Sequence, residues 1–162
     1  MSAASKLLIF GGIALAAFGM LYGLHYALFV EHQTLDGMGG SLMTAFTGAA
    51  RGHMPEAHGA IAAYGATRYD YVRQVDVHSH WIGLAMLMIV LGVAMDHVAL
   101  RDRFRFWIAL SLLLGSVVFP LGVLLQSESQ GAAWAAATTV VGAVIVTIAL
   151  AAMVVGFARQ SG

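Results

Sequence analysis

The sequence contains no cysteine among its 162 residues. This absence excludes disulfide bonds, cysteine-ligated iron–sulfur clusters, thiolate-ligated haem and the C-x-x-C-H attachment of c-type haem. Any metal bound by this chain must therefore be held by histidine, methionine, carboxylate or tyrosine side chains. The signatures of soluble enzymes are missing as well, because the sequence has no G-x-S-x-G, no phosphate-binding loop and no H-E-x-x-H.

Charged residues are also scarce. They make up 10% of the chain, whereas hydrophobic residues make up 60%, and soluble domains carry about 25% charged residues. The mean hydropathy of +0.83 agrees with this contrast. We therefore expect an integral membrane protein whose first partner is the lipid bilayer. The formal net charge is zero, which argues against nucleic acid and strongly acidic partners.

Long apolar runs give the predicted architecture. A helix needs about 20 apolar residues to cross the hydrocarbon core, and four segments meet this requirement, at about 7–30, 81–100, 104–125 and 132–157. The sequence thus predicts an all-α fold: an integral membrane four-helix bundle forming a single transmembrane domain over residues 1–162. A long, partly helical outer loop, residues 31–77, is expected between helices 1 and 2.

The end of this loop has a helix start of its own. Pro55 followed by Glu56 suits a first helical turn. The N–H that proline lacks has no partner within the helix at that position, and the negative charge of an acid is stabilised by the positive end of the helix dipole. From that point Tyr64, Tyr71 and His78 recur at helical spacing. We expect either that the second membrane helix begins outside the bilayer or that a separate short helix lies over the outer end of that helix.

The basic residues predict the orientation. Lys6, the cluster from Arg101 to Arg105 and Arg159 fall on one side of the predicted bundle, whereas the 126–131 link on the other side has Glu128 and no basic residue. By the positive-inside rule both termini are cytoplasmic and the loop lies outside, as in a bacterial inner membrane. The first segment is too long for the apolar core of a signal peptide, so we expect a retained helix.

The histidines indicate a site. His25 lies near the end of the first apolar segment, and His78 and His80 lie near the start of the second, so all three fall toward the same bilayer face. Ionisable groups at membrane depth are costly and tend to be functional. Because imidazole is also the commonest metal ligand, the three histidines are candidate ligands of a metal or haem shared by two helices.

An aromatic stripe accompanies His25. Phe18, Tyr22, His25 and Phe29 follow one another at spacings of four, three and four residues, which places them on one stripe of a helix. Such a stripe is suited to a flat apolar cofactor, with rings against its faces and His25 as an axial ligand. The alternative is an aromatic packing seam whose histidine is hydrogen-bonded to a neighbouring helix.

The two histidines of the second helix point in different directions. Two residues correspond to about 200° around a helix, so His78 and His80 cannot both ligate one centre. His78 shares a stripe with Tyr64 and Tyr71 and is the preferred ligand, although His80 shares a stripe with Leu84 that could equally be buried.

Gly19 and Gly23 form a G-x-x-x-G motif beside the aromatic stripe. Small residues at this spacing allow helices to approach closely in lipid. The motif predicts either tight packing within the chain or a homo-oligomer.

The segment Val77-His78-Ser79-His80, which opens an apolar helix after a long loop, resembles small four-helix membrane haem proteins. The styrene oxide isomerase family is similar in length, in helix count and in having A-H-S-G at the same place. A bacterial family with V-H-T-H at this place is also similar. In the isomerase family the histidine before the serine ligates haem b, whose ferric iron acts as a Lewis acid on an epoxide oxygen. The resemblance implies that His78 is the axial ligand.

The chain departs from that family at two positions. The family's asparagine shortly after the histidine corresponds to Leu84, and its third-helix tyrosine has no counterpart within 104–125. Tyr22 or Tyr26 would then supply the hydroxyl, which makes these two residues the catalytic candidates.

The leading hypothesis is a membrane protein that binds haem b and converts a small hydrophobic epoxide to an aldehyde. One alternative is a bis-histidine cytochrome that passes electrons to a redox partner, with His25 as the second ligand. Another is a non-enzymatic or copper-binding subunit of a larger complex, since histidine and methionine in the loop suit copper. The loop residues concerned are His53, Met54, Glu56 and His58.

Overall fold

The computed structural model describes residues 1–129 and 132–159, and this part of the chain is helical, with no strand. A 3-10 turn, Met95–His97, follows the third helix. The five α-helices are α1 Ala3–Phe29, α2 Glu31–Ala50, α3 Met54–Ala94, α4 Asp102–Glu128 and α5 Ala133–Ala158. The all-α prediction is confirmed.

Four helices, all except α2, are long and apolar enough to cross a membrane. The predicted first, third and fourth spans agree with α1, α4 and α5 to within four residues at each end. The bundle buries a core to which all four helices contribute, and it leaves many large apolar side chains outside, as lipid contact requires. The largest buried core side chains include Leu8, Trp81, Met88, Leu112 and Met153.

The first two helices are nearly continuous. Val30 alone separates α1 from α2, and its N–H donates to the Tyr26 carbonyl at 2.9 Å while its own carbonyl accepts from the Thr34 N–H at 3.1 Å. The hydrogen-bond ladder thus passes through the bend. At the other end of α1 the N-cap residue is Ser2, whose hydroxyl accepts from the Ser5 N–H.

The third helix is longer than predicted. Its 41 residues span about 60 Å at 1.5 Å per residue, roughly twice the hydrocarbon thickness. It begins at Met54, and Pro55 and Glu56 occupy its first turn, as their sequence predicts. The span predicted from residue 81 is therefore the apolar part of a helix that begins 27 residues earlier, because the polar residues before it continue the same helix instead of ending it.

The expected outer loop is a helical hairpin. Between α1 and α3 the residues outside a helix are Val30 and 51–53, and the turn is made at Gly52, with φ of 76°, a conformation that glycine adopts freely. Near that turn Gly48 lies against the first turn of α3, since a Cβ on it would meet the Ala57 nitrogen at 3.2 Å. We call α2 with residues 54–69 the protruding hairpin.

The fourth and fifth helices form a hairpin in which α4 packs on α1 and α3 and α5 packs on α4. Glycine makes the contact between α4 and α5 close: a Cβ on Gly142 would overlap the backbone of Phe119. The end of α4 reaches Asp70, to which the Ser127 hydroxyl donates at 3.3 Å. Because α4 ends there, the protruding hairpin extends beyond the end of α4.

The described chain ends lie at the opposite end of the bundle. The N-terminal amine is 3.4 Å from the Asp96 carboxylate, and the Ala99 N–H donates to the Gly156 carbonyl at 3.2 Å. The basic link before α4 therefore lies at the same end as the start of α1 and the end of α5.

Candidate functional site

His78 lies in a notch on α1. Its Nδ1 atom is 2.9 Å from the main-chain carbonyl oxygen of Gly19, and its ring occupies the space that a Cβ on Gly23 would fill. We call the surface formed by Gly19 and Gly23 the glycine notch. The G-x-x-x-G motif thus allows tight packing within the chain, because its two glycines leave room for the His78 side chain of α3.

The hydrogen bond determines which ring nitrogen of His78 is free. A carbonyl oxygen can only accept, so Nδ1 must carry the proton. In the neutral imidazole the other nitrogen, Nε2, then has an unprotonated lone pair. This tautomer is the one in which a histidine can ligate a metal through Nε2.

An aromatic cluster lies one helical turn along α3 from His78. Trp81 is 1% exposed, and its ring packs edge-on against Phe18, with centroids 4.8 Å apart, and against Tyr22, at 5.2 Å. The cluster borders an open, apolar groove of about 420 Å³ between α1 and α4. The groove is lined by Gly11, Ala14, Leu15, Phe18, Trp81, Leu113, Val117 and Leu121.

His25 and Phe29 lie on the outer surface. Both side chains are exposed, and their rings contact each other at a centroid distance of 5.4 Å. His25 follows Gly23 by two residues, or about 200° around α1, so it faces away from the glycine notch and His78. The structure therefore does not bring together the two histidines that the sequence placed at one depth.

The aromatic stripe of α1 is consequently not the face that packs on α3. The stripe lies about 100° around the helix from Gly19, and the glycine face makes the contact because small residues allow closer approach. Tyr22 and Tyr26 are turned inward at the border between the two faces, whereas Phe18 is 52% exposed. Of the predicted cofactor contacts, Phe18 and Tyr22 alone are close to Trp81.

His80 faces a different neighbour. It is half-buried, and its ring lies 4.7 Å from that of Phe119 on α4. His78 contacts α1 and His80 contacts α4, which is the divergence that their spacing predicts.

A polar chain links three helices next to this cluster. The Tyr22 hydroxyl donates to the Gln74 side-chain oxygen, the Gln74 amide donates to the Ser127 hydroxyl at 3.4 Å, and Ser127 donates to Asp70. Sequence reasoning missed Asp70, Gln74 and Ser127. A signal was present, because residues 70, 74 and 78 recur every four residues and so share one face of α3.

Tyr26, the second catalytic candidate, differs from Tyr22. It is buried, and its hydroxyl has no hydrogen-bond partner within residues 1–129 and 132–159. Its ring lies 6.4 Å from that of Tyr71, one helical turn further from the glycine notch than Tyr22.

The residues proposed for copper lie at the turn of the protruding hairpin. His53 pairs with Glu56 at 3.4 Å, and both are more than half exposed. Over the described part of the chain, no three histidine or acidic side chains are grouped so as to hold a metal ion. A haem, in contrast, needs one axial side chain from the protein.

Comparison with models of known protein families, with curated proteins and with solved structures found no match for this chain.

Proposed function

We propose that this chain is an integral membrane protein that binds haem b through Nε2 of His78. The observation that carries the proposal is the hydrogen bond from His78 Nδ1 to the Gly19 carbonyl. Histidines that ligate metals almost always donate their other ring N–H to a carbonyl or carboxylate, which orients the ring. The glycine notch thus provides the support that an axial histidine requires.

The other histidines favour an iron with one open position. His25 lies on the far side of α1 from the notch, and His80 packs on Phe119. A haem held by His78 alone would supply a Lewis acid. We therefore propose an epoxide isomerase-like activity, and the bis-histidine cytochrome is the less supported function.

The chain's own residues would bind and orient the substrate. The groove beside Trp81 is open and apolar, so it suits a small hydrophobic epoxide that partitions into lipid. Tyr22 contacts Trp81, and its hydroxyl is oriented by Gln74. In this proposal Tyr22 supplies the hydroxyl that the resemblance requires, and Phe18 is a further wall of the groove.

The proposed location is a bacterial inner membrane with both termini cytoplasmic and the protruding hairpin outside. The basic residues 101, 103 and 105 support this orientation, because they lie at the end of the bundle that also holds both described chain ends.

The test is a spectrum of the full chain purified from haem-supplemented cells. We expect a Soret band that His78→Ala abolishes. His25→Ala and His80→Ala are expected to keep it, and His58→Ala is the matched control in the protruding hairpin. The absence of a Soret band from the wild-type protein would refute the haem proposal. With haem present, conversion of a lipophilic aryl epoxide to its aldehyde tests the activity.

A further inference from the structure

A second open groove, of about 520 Å³, lies between α4 and α5 at the end of the bundle that holds both described chain ends. Two basic residues line it: Arg101, the residue before α4, and Arg159, the residue after α5. The other lining residues are apolar, and they are Ala99, Leu100, Phe104, Ile108, Ala152 and Val155. We call this surface the α4–α5 groove. It shares no residue with the groove beside Trp81.

The two arginines of the α4–α5 groove have no acidic partner in the described part of the chain. Both are exposed, and neither forms an ion pair within residues 1–129 and 132–159. The two aspartates near the link before α4 already have partners, since Asp102 is paired with Arg105 and Asp96 with the N-terminal amine. The positive charge of Arg101 and Arg159 is therefore available to an anion from outside the described chain.

The apolar part of the groove continues along both helices. A neighbouring groove of about 260 Å³ shares Phe104, Ile108 and Ala152 with it and reaches Ser111 on α4. The ten residue steps from Arg101 to Ser111 rise about 15 Å along a helix, which is half of a hydrocarbon core of about 30 Å. The two grooves together thus form an apolar channel about as deep as one leaflet of the bilayer.

The position of the arginines relative to the membrane places charge at one end of this channel. Arg101 directly precedes one membrane-spanning helix and Arg159 directly follows another. Guanidinium groups bind phosphate oxygens through paired N–H donors, and basic pockets between membrane helices are typical sites for anionic lipid headgroups. A soluble anion would use the arginines alone, and a lipid without net charge would use the channel alone.

We propose that the α4–α5 groove binds an anionic phospholipid. Its phosphodiester group lies between Arg101 and Arg159, and one acyl chain follows the channel past Ile108 and Ala152. An anionic lipid combines the negative charge that the arginines attract with a chain that covers the apolar walls over the depth of one leaflet.

Titration of the full chain with dioleoyl phosphatidylglycerol, followed by native mass spectrometry from a neutral detergent, tests the proposal. Dioleoyl phosphatidylcholine is the reference lipid, because it has the same acyl chains and a headgroup without net charge. We expect phosphatidylglycerol to bind saturably and more tightly than phosphatidylcholine.

Arg101→Gln and Arg159→Gln test the headgroup site. Each variant removes one charge from the groove, and we expect each to weaken phosphatidylglycerol binding by about fivefold. Arg103→Gln is the matched control: it removes the same charge from the same exposed link, but Arg103 does not line the groove. We expect it to bind as the wild type does. All three side chains are exposed, so thermal unfolding in detergent is expected to be unchanged.

Ala152→Leu tests the acyl-chain site. Ala152 lines both grooves, so a larger side chain there narrows the channel, and we expect weaker binding of phosphatidylglycerol. Ala151→Leu, at the exposed neighbouring residue that lines neither groove, is the control and is expected to bind as the wild type does.

Three results would overturn the proposal. The first is equal binding of phosphatidylglycerol and phosphatidylcholine. The second is an equal loss with Arg103→Gln, which would show that the charge of this end of the bundle acts without a defined site. The third is equal binding by Ala152→Leu and Ala151→Leu, which would show that no acyl chain occupies the channel. None of these measurements depends on haem.

Discussion

His78 and Gly19, 59 positions apart in the chain, are joined by a hydrogen bond of 2.9 Å between the imidazole Nδ1 and a main-chain carbonyl. The Gly19 carbonyl belongs to the interior of α1, where carbonyls normally accept from the N–H four residues later. It therefore accepts a second hydrogen bond through its other lone pair. The bond is possible because α1 has no side chain at residues 19 and 23, and this contact determines both the position and the tautomer of His78.

Gly23→Ala tests this contact. The new Cβ would overlap the His78 ring, so we expect the ring to be displaced and the free energy of unfolding to fall by about 1–3 kcal/mol, as overpacked sites do. If His78 carries haem, haem occupancy falls as well. Thermal unfolding in detergent and the Soret absorbance measure the two effects.

Gly59→Ala is the control for that substitution. A Cβ at Gly59 would meet nothing within 4 Å, and alanine is favoured over glycine within a helix by about 0.5–1 kcal/mol. We expect equal or higher stability. Equal destabilisation by both substitutions would contradict the role of the glycine notch.

The contact between α4 and α5 gives a second prediction. Gly142→Ala places a Cβ against the Phe119 backbone, which cannot move aside as a flexible side chain can. We expect a loss of about 1–3 kcal/mol in unfolding free energy, measured by thermal denaturation. Gly83→Ala, on the exposed surface of α3, is expected to cause no loss, and a loss of similar size there would argue against this packing.

Tyr22→Phe tests the polar chain between helices. The variant leaves the Gln74 side-chain oxygen without its donor, and we expect a cost of about 1–3 kcal/mol for a part-buried acceptor. Tyr69→Phe is the matched control, because Tyr69 is 37% exposed and keeps its ring beneath Arg73. Unfolding by denaturant in detergent compares them. Equal stability of both variants would show that the Tyr22–Gln74 bond contributes nothing.

The natural absence of cysteine makes the orientation testable with single substitutions. Gly39→Cys introduces a thiol on α2, where a Cβ meets nothing within 4 Å, and Arg103→Cys introduces one in the exposed first turn of α4. In intact bacterial cells we expect a membrane-impermeant maleimide to label Gly39→Cys and to spare Arg103→Cys. Labelling of Arg103→Cys alone would reverse the proposed topology.

The sequence predicted the spans well where apolar runs end at charged or small polar links. The links predicted at 101–103 and 126–131 mark the two ends of α4, Asp102–Glu128, to within three residues, so three of the four predicted helices have nearly the observed ends. For α3 hydropathy predicted only the apolar span, because it contains no information about how far the same helix continues beyond that span. Pro55 and Glu56 were the local signal for its true start.

The structure brings some of the predicted residues together and separates others. His78 and His80 diverge as two residues on one helix must, and the local geometry of the chain alone is sufficient to show that. The expected pairing of His25 with His78 does not occur within the chain. Depth in the membrane was inferred from sequence position, but the direction in which His25 points depends on which face of α1 meets α3.

The sequence by itself determined an all-helical chain with four apolar spans and no cysteine chemistry, because composition and the length of apolar runs are local properties. The tertiary structure alone decided which face of α1 is buried, because close approach of two backbones favours the glycine face over the aromatic stripe. That choice turned His25 outward and set His78 on the Gly19 carbonyl. It also brought Tyr26, Asp70 and Glu128, from three helices, to one pocket.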